Sequence, residues 1–127
     1  MVTFSGKSQN FLLTLTKMPA FTDNVIFDTI AREWRCKWSD VDEKASLSAA
    51  QTLIEETLPK IKAVDGVTEV QRVVCGGCLD LKLIISLTAD KFDKLEAAGL
   101  EEPYLTALKA IPGISNVETQ SFTIAKC

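Results

Sequence analysis

The sequence contains no histidine and only four cysteines among its 127 residues. Without histidine the chain lacks the commonest general base, the commonest metal ligand and every Ser-His or Cys-His nucleophile pair. No apolar run approaches the roughly 20 residues that a membrane helix needs, and residues 1–20 lack the continuous apolar segment of a signal peptide. Lys and Arg form no basic stripe, and the net charge is −3. We therefore expect a cytoplasmic protein that binds neither nucleic acid nor membrane.

Hydrophobic residues make up 46% of the chain and charged residues 24%. This apolar content is sufficient to offset chain entropy, which excludes a disordered or collagen-like chain. A length of 127 residues fits one domain, because single hydrophobic cores usually organise about 100 to 150 residues. We predict one globular domain.

A repeated segment is the most informative feature of the sequence. Residues 62–71 and 109–118 share the order Lys, Ala, a branched aliphatic residue, one further residue, Gly and a second branched residue. In both copies an amphipathic segment ends at a glycine, Gly66 or Gly113, and an apolar strand follows. The pattern predicts the same β and α unit twice within one domain.

Alternating apolar residues predict a long first strand over residues 25–38, with Ile30, Trp34, Cys36 and Trp38 on one face. The remaining elements follow from helical periodicity, strand alternation and turn residues: a helix over 43–64, a strand over 67–75, a two-residue turn at 76–77, a strand over 79–87, a helical region over 88–111 interrupted near 99–103, and a strand over 115–124. The order is βαββαβ.

This order is typical of the ferredoxin-like α+β sandwich, a four-stranded antiparallel sheet with two helices on one face. We assign residues 23–127 to this domain and residues 1–22 to an N-terminal extension that adds a strand or a cover. The other face of the sheet needs a partner, because apolar residues such as Val73 and Ile84 fall on both sides. We predict a homodimer formed through the sheets, with the N-terminal extension as the alternative cover.

The CGGC motif at residues 75–78 has the spacing of a redox-active pair, Cys75 and Cys78. Such pairs usually open a helix, whereas this one lies between two strands, where Gly-Gly suits a tight hairpin turn. We expect a structural hairpin with free thiols. A tetrahedral zinc site would need Cys36 and Cys127 as well, and the second CxxC motif of such sites is absent, so we predict no metal and no cofactor.

Trp34 and Trp38, with Arg35 and Lys37 between them, have the composition of a patch for a nucleotide or an acidic partner. Aromatic residues at alternating strand positions are more often core, so we predict core positions for both tryptophans. The glutamates of the second helical region are typical of a solvated interruption rather than of paired catalytic carboxylates. They are Glu96, Glu101 and Glu102.

Residues 36–43, 77–82 and 117–122, in this order, resemble segments of the nucleotide-exchange domain of translation elongation factor one-beta. That domain has the same βαββαβ order and a first strand that ends in residues rich in Lys, Trp and Asp. The family also uses a penultimate lysine against its partner GTPase, and Lys126 is penultimate here. The resemblance implies nucleotide exchange with Lys126 at the partner surface.

The helix exit at residues 109–114, Lys-Ala-Ile-Pro-Gly-Ile, resembles the dimeric α+β barrel group. Members of that group are small-ligand binders, monooxygenases or proteins without known activity. The group's catalytic histidines are absent from this chain, so the resemblance implies the fold and a dimer rather than that enzymatic activity.

The sequence predicts a binding or assembly module without enzymatic activity, which acts as a homodimer and has a protein or small molecule as a further partner. The alternatives are a nucleotide-exchange factor for a translational GTPase and a thiol redox protein that uses the CGGC motif. No catalytic residue is assigned. The candidate ligand or partner surface comprises Trp34, Cys36, Trp38, Cys75, Cys78 and Lys126.

Overall fold

A computed structural model describes residues 18–127. A short hairpin of β1 (Ala20–Thr22) and β2 (Val25–Ile26) comes first. It is followed by β3 (Thr29–Lys37), α1 (Val41–Lys62), β4 (Val67–Cys75) and β5 (Asp80–Thr88). One 3₁₀ turn (Ala89–Lys91) then leads to α2 (Asp93–Ala97), α3 (Glu101–Lys109) and β6 (Ser115–Thr123).

Strands β3 to β6 form one antiparallel sheet in the order β4-β5-β3-β6. Successive side chains of a strand point to opposite faces of the sheet, so every second residue of β3 faces the helices. Trp34 and Cys36 are both 1% exposed and pack with Leu83, Ile85 and the helices. The predicted βαββαβ order and four-stranded antiparallel sheet are confirmed.

The predicted first strand over residues 25–38 is wrong at its beginning. β2 pairs only with β1, and β3 starts at Thr29 in the larger sheet. Between them the Phe27 amide donates to the Pro19 carbonyl, whereas the Asp28 carbonyl accepts from the Ala89 amide. The chain therefore changes hydrogen-bonding partners at residues 27–28, which apolar alternation alone does not reveal.

The two copies of the repeat occupy equivalent places. Gly66 has φ +100° and Gly113 has φ +94°, each between a helix and the strand that follows it. Both glycines therefore adopt the left-handed conformation that ends a helix, as the repeat predicts.

The hairpin between β4 and β5 differs from the predicted two-residue turn. Cys75 pairs with Asp80, so the loop contains the four residues 76–79, and Leu79 adopts a positive φ of 59°. The N-terminal extension lies largely outside the described residues, since only residues 18–22 of it are described; its role as a strand or cover stays a prediction. In residues 18–127 no helix has the length and apolar character to span a membrane.

Candidate functional site

A cleft of about 1050 Å³ opens between helices α2 and α3 and the strands β3 and β6. Its volume is at the upper end of the roughly 300 to 1,000 Å³ that small-molecule sites usually enclose. Apolar side chains form much of its wall: Phe92, Leu95, Pro103, Ala107 and Ala110. The polar side chains that line it are Arg32, Asp93, Glu96, Glu101, Glu102, Thr106 and Ser121. The cleft is thus apolar with polar groups at defined places, as expected of a site for an organic ligand.

Arg32 is the only cationic side chain that lines this cleft among residues 18–127. Its Nε and Nη2 donate to the two carboxylate oxygens of Glu101, at 2.8 Å and 3.0 Å. Nη2 also donates to Thr119 Oγ1 at 2.8 Å, and Nη1 to Ser121 Oγ at 3.0 Å. A guanidinium has five N–H groups, so these bonds occupy four and leave one, on Nη1, without an acceptor among residues 18–127.

Glu101 is the first residue of α3 and connects that helix to β3. Besides the two bonds from Arg32, its Oε1 accepts a hydrogen bond from Trp34 Nε1 at 2.8 Å. The bonds from Arg32 hold the pKa of the Glu101 carboxyl below its usual range, and the bond from Trp34 acts in the same direction. Glu101 therefore stays anionic and fixes the guanidinium.

An aromatic pair, Trp34 and Tyr104, lies beneath this network. Trp34 and Tyr104 stack with ring centroids 4.7 Å apart. Burial of the Tyr104 phenol raises its pKa far above the usual value, and the nearby Cys36 contributes to the same shift. Tyr104 is therefore protonated at neutral pH.

The Arg32–Glu101 pair predicts an acid-sensitive contribution to stability. Because the pKa of Glu101 is lower in the folded chain, its contribution is present above the ordinary value of 4.5 and is lost as the pH falls through the folded value. Glu101→Gln is expected to lower the free energy of unfolding by about 1 kcal/mol at neutral pH, a figure discounted for partial exposure. Urea unfolding at neutral pH and near pH 3 measures this difference, which should shrink in acid. Glu102→Gln is the control, because no cation lies within ion-pair distance of Glu102 in the described residues; an equal loss in both variants would contradict the prediction.

The six residues singled out in the sequence do not form one site. Trp34, Cys36 and Trp38 lie on the helix-facing side of β3 and its exit, and the predicted core positions of both tryptophans are confirmed. Trp34 reaches the cleft network through Glu101, whereas Trp38 Nε1 donates to the Asp80 carbonyl at 3.1 Å.

Cys75 and Cys78 lie at the far end of the β4–β5 hairpin and form a disulfide, with Cα atoms 5.5 Å apart. The expectation of free thiols is therefore wrong for this pair, and Cys36 and Cys127 are the free cysteines of the described residues. Cys36 faces the helices, whereas Cys75 lies on the opposite face of the sheet, paired with Asp80. Within residues 18–127, no three Cys, Asp or Glu side chains converge as a metal site.

The remaining singled-out residue, Lys126, is exposed in the segment after β6. Sequence reasoning missed the two charged residues at the centre of the cleft network, Arg32 and Glu101. One feature of the sequence could have indicated Arg32 as a site residue. Arg32 lies on the apolar face of β3, between Ile30 and Trp34, where a charged side chain is unexpected. Glu101 is not a solvated residue of the interruption, because it accepts bonds from Arg32 and Trp34.

The two free thiols are expected to react at very different rates. Burial, assisted by the Asp80 charge, raises the pKa of the Cys36 thiol to about 11, and Cys36 is buried, whereas Cys127 is exposed. Because the thiolate is the nucleophile, iodoacetamide at pH 8 should alkylate Cys127 in the folded protein and Cys36 only after unfolding. Peptide mass spectrometry measures both sites. Comparable early alkylation of Cys36 would show that the core around β3 is open.

No protein-family model matches the chain, and no curated protein sequence matches it. Solved structures do. SnoaB, a cofactor-independent oxygenase from Streptomyces nogalater, is 14% identical, with a TM-score of 0.56 over 79% of this chain and 96% of that one. The monooxygenase of ActVA-Orf6 from Streptomyces coelicolor, in complex with nanaomycin D, is 11% identical. Its TM-score is 0.61, over 80% of this chain and 90% of that one.

A third structure, a dimeric ferredoxin-like protein of unknown function from Thermobifida fusca, is 14% identical, with a TM-score of 0.54 over 77% of this chain and 92% of that one. The sequence predicted a non-enzymatic module, with nucleotide exchange and thiol redox chemistry as the alternatives. The oxygenases among these neighbours contradict that prediction. At these identities the likeness establishes the fold. The chain has the ferredoxin-like α+β fold that its βαββαβ order indicates.

Proposed function

We propose that this chain is an oxygenase that oxidises a planar aromatic small molecule in the cleft between α2, α3 and the sheet. The observation that carries the proposal is an apolar cleft with one fixed guanidinium, Arg32, in a fold shared with oxygenases. One of these neighbours, ActVA-Orf6, holds nanaomycin D, and the cleft volume of about 1050 Å³ accommodates a ligand of several fused rings.

The chemistry follows from the source of electrons. If the reaction, like that of SnoaB, is independent of a cofactor, the substrate itself must reduce dioxygen. A methylene group between two aromatic rings and opposite a ketone meets this requirement, because loss of one methylene proton to water leaves an electron-rich phenolate. The methylene becomes a carbonyl, one oxygen atom of dioxygen is retained, and the other leaves as water with the two methylene hydrogens. The four electrons that the carbon loses are those that dioxygen gains.

Arg32 has the position of an electrostatic stabiliser in this reaction. Negative charge develops on the ketone oxygen as the substrate enolises, and preorganised donors lower the energy of such charge. One N–H of Arg32 has no acceptor in the part of the chain that the structure describes and is available to that oxygen, while Glu101, Thr119 and Ser121 hold the guanidinium in place. Arg32 is therefore the residue whose loss should reduce turnover most directly.

The test uses anthralin, a commercially available anthrone. We expect the protein to accelerate dioxygen uptake above the buffer rate and to incorporate one atom of isotopically labelled dioxygen into the quinone product. Arg32→Met should lower kcat/KM by about a hundredfold, because one charge-assisted donor is removed. Arg72→Met is the matched control, since Arg72 lies on β4 outside the cleft and donates to Gln51. Uptake equal to the buffer rate would contradict the proposal.

We also infer that the face of the sheet opposite the helices packs against a second copy of the chain. Support comes from the dimeric ferredoxin-like neighbour and from the residues of this face, which include the half-buried Ile84 and Phe122. Glu33 lies between them in the sheet, is 3% exposed, and accepts a hydrogen bond from Gln120. Native mass spectrometry should give twice the chain mass, and Phe122→Lys should give the single mass. A monomer for the unmodified chain would contradict this assembly.

A further inference from the structure

The charge that lines the cleft is strongly one-sided. One guanidinium, that of Arg32, faces four carboxylates. These belong to Asp93, Glu96, Glu101 and Glu102. Arg32 is already bound through two hydrogen bonds to Glu101. No cation lies within ion-pair distance of the other three carboxylates in residues 18–127.

Two of these carboxylates, Glu101 and Glu96, act electrostatically on the Arg32 guanidinium in the cleft. The hydrogen bonds to Glu101 are the main reason why the pKa of Arg32 is raised, and the Glu96 charge on α2 adds a smaller contribution in the same direction. Asp93, Glu96 and Glu102 are exposed, so water screens part of their charge, while apolar lining residues such as Leu95 limit that screening inside the cleft. An ionised acidic group that a ligand carries away from Arg32 Nη1 would therefore meet uncompensated negative charge, because the one cation that lines the cleft is paired with Glu101.

We propose that the cleft selects its substrate by charge, admitting aromatic molecules that are neutral or cationic and rejecting anionic molecules of the same shape. This inference rests on the proposed function, because it names the substrate class of the same cleft. Asp93, Glu96 and Glu102 are the residues that determine this specificity. They act by long-range repulsion, since each is a charge at the wall rather than a donor to the ligand.

The test compares three probes with one ring system: hydroxymethyl-anthraquinone, aminomethyl-anthraquinone and anthraquinone monosulfonate. Isothermal titration calorimetry measures the three dissociation constants. We expect the sulfonate to bind at least about tenfold more weakly than the neutral probe, a size that follows from several partly screened charges near the ligand. The amine should bind as tightly as the neutral probe or more tightly. Raising the salt concentration should narrow the difference between sulfonate and neutral probe.

Removing the charges of Glu96 and Glu102 tests whether these residues cause the rejection of the sulfonate. The double variant Glu96→Gln, Glu102→Gln keeps the size of both side chains and should reduce the difference between sulfonate and neutral probe to less than about threefold. The matched control is Glu56→Gln, since Glu56 is an exposed glutamate of α1 that does not line the cleft. It should leave the difference unchanged.

The outcomes separate this inference from the proposed function. Equal affinity for the sulfonate and the neutral probe overturns charge selection, even if anthralin oxidation proceeds. A difference that persists in the double variant also overturns it, because the repulsion would then arise elsewhere. Failure of all three probes to bind overturns the assignment of the cleft as a ligand site, and with it both proposals.

Discussion

Replacing Trp34 by alanine is expected to lower the free energy of unfolding by about 4 kcal/mol, as for other large aromatic residues removed from a core. Trp34 is 1% exposed, so alanine leaves a cavity beneath the cleft. The change also removes the stacking partner of Tyr104 and leaves Glu101 with one hydrogen bond fewer. Urea denaturation followed by circular dichroism measures the loss.

Two further variants separate the causes. Trp34→Phe keeps an aromatic ring against Tyr104 but removes the indole N–H, and we expect it to cost about 2 kcal/mol. Phe21→Ala is the surface control, because Phe21 is 70% exposed, and its effect should lie within about 0.5 kcal/mol. A loss below about 1.5 kcal/mol for Trp34→Ala would show that this part of the core collapses around the missing ring.

The fold was predictable from the sequence because its signals are local. Strict alternation from Leu81 to Leu87 marks β5, and the helix exits at Gly66 and Gly113 mark the two equivalent units. The order of strands and helices then leaves few topologies. Prediction failed at two places. At residues 27–28 the chain passes from the small hairpin to the large sheet and changes hydrogen-bonding partners. At residues 76–79 the loop has four residues, whereas the Gly-Gly pair indicated a turn of two.

The cleft was not predictable in the same way. Arg32 and Glu101 are 69 positions apart and meet only when α3 packs against β3. Taken alone, Glu101 is one acidic residue among several near Gly99, and nothing local distinguishes it from Glu102. Its function arises from tertiary contact, because the first turn of α3 places its carboxylate against Arg32 and the Trp34 indole.

Composition misled the functional prediction for a chemical reason. The absence of histidine excludes nucleophile pairs and most metal sites, and this favoured a protein without enzymatic activity. The oxidation that we propose, in which the substrate supplies the electrons, needs neither a nucleophile pair nor a metal, since the protein would contribute an apolar enclosure and a fixed charge. Such a site leaves no motif in the sequence, and the arrangement around Arg32 becomes visible only in the folded chain.

The helix exit at Gly66 provides the second large stability effect. Gly66→Ala is expected to lower the free energy of unfolding by about 3 kcal/mol, because an added Cβ is strained at a φ of +100° and would lie 2.5 Å from Lys91 Cβ. The Lys91 Cβ is attached directly to the backbone of the 3₁₀ turn, so it cannot move aside as the end of a side chain would. Urea denaturation measures the change.

The other glycines provide a graded comparison for the same experiment. At Gly113 an added Cβ would lie 2.9 Å from Ser46 Cβ, a less severe approach, so Gly113→Ala should cost about 2 kcal/mol. At Gly76 no atom lies within 4 Å and φ is not in the left-handed region, so Gly76→Ala should change stability by less than about 0.5 kcal/mol. Equal effects at Gly66 and Gly76 would contradict the close packing of the helix exit against the 3₁₀ turn. The expected order, Gly66 above Gly113 above Gly76, instead follows from backbone conformation and the distance to the nearest atom.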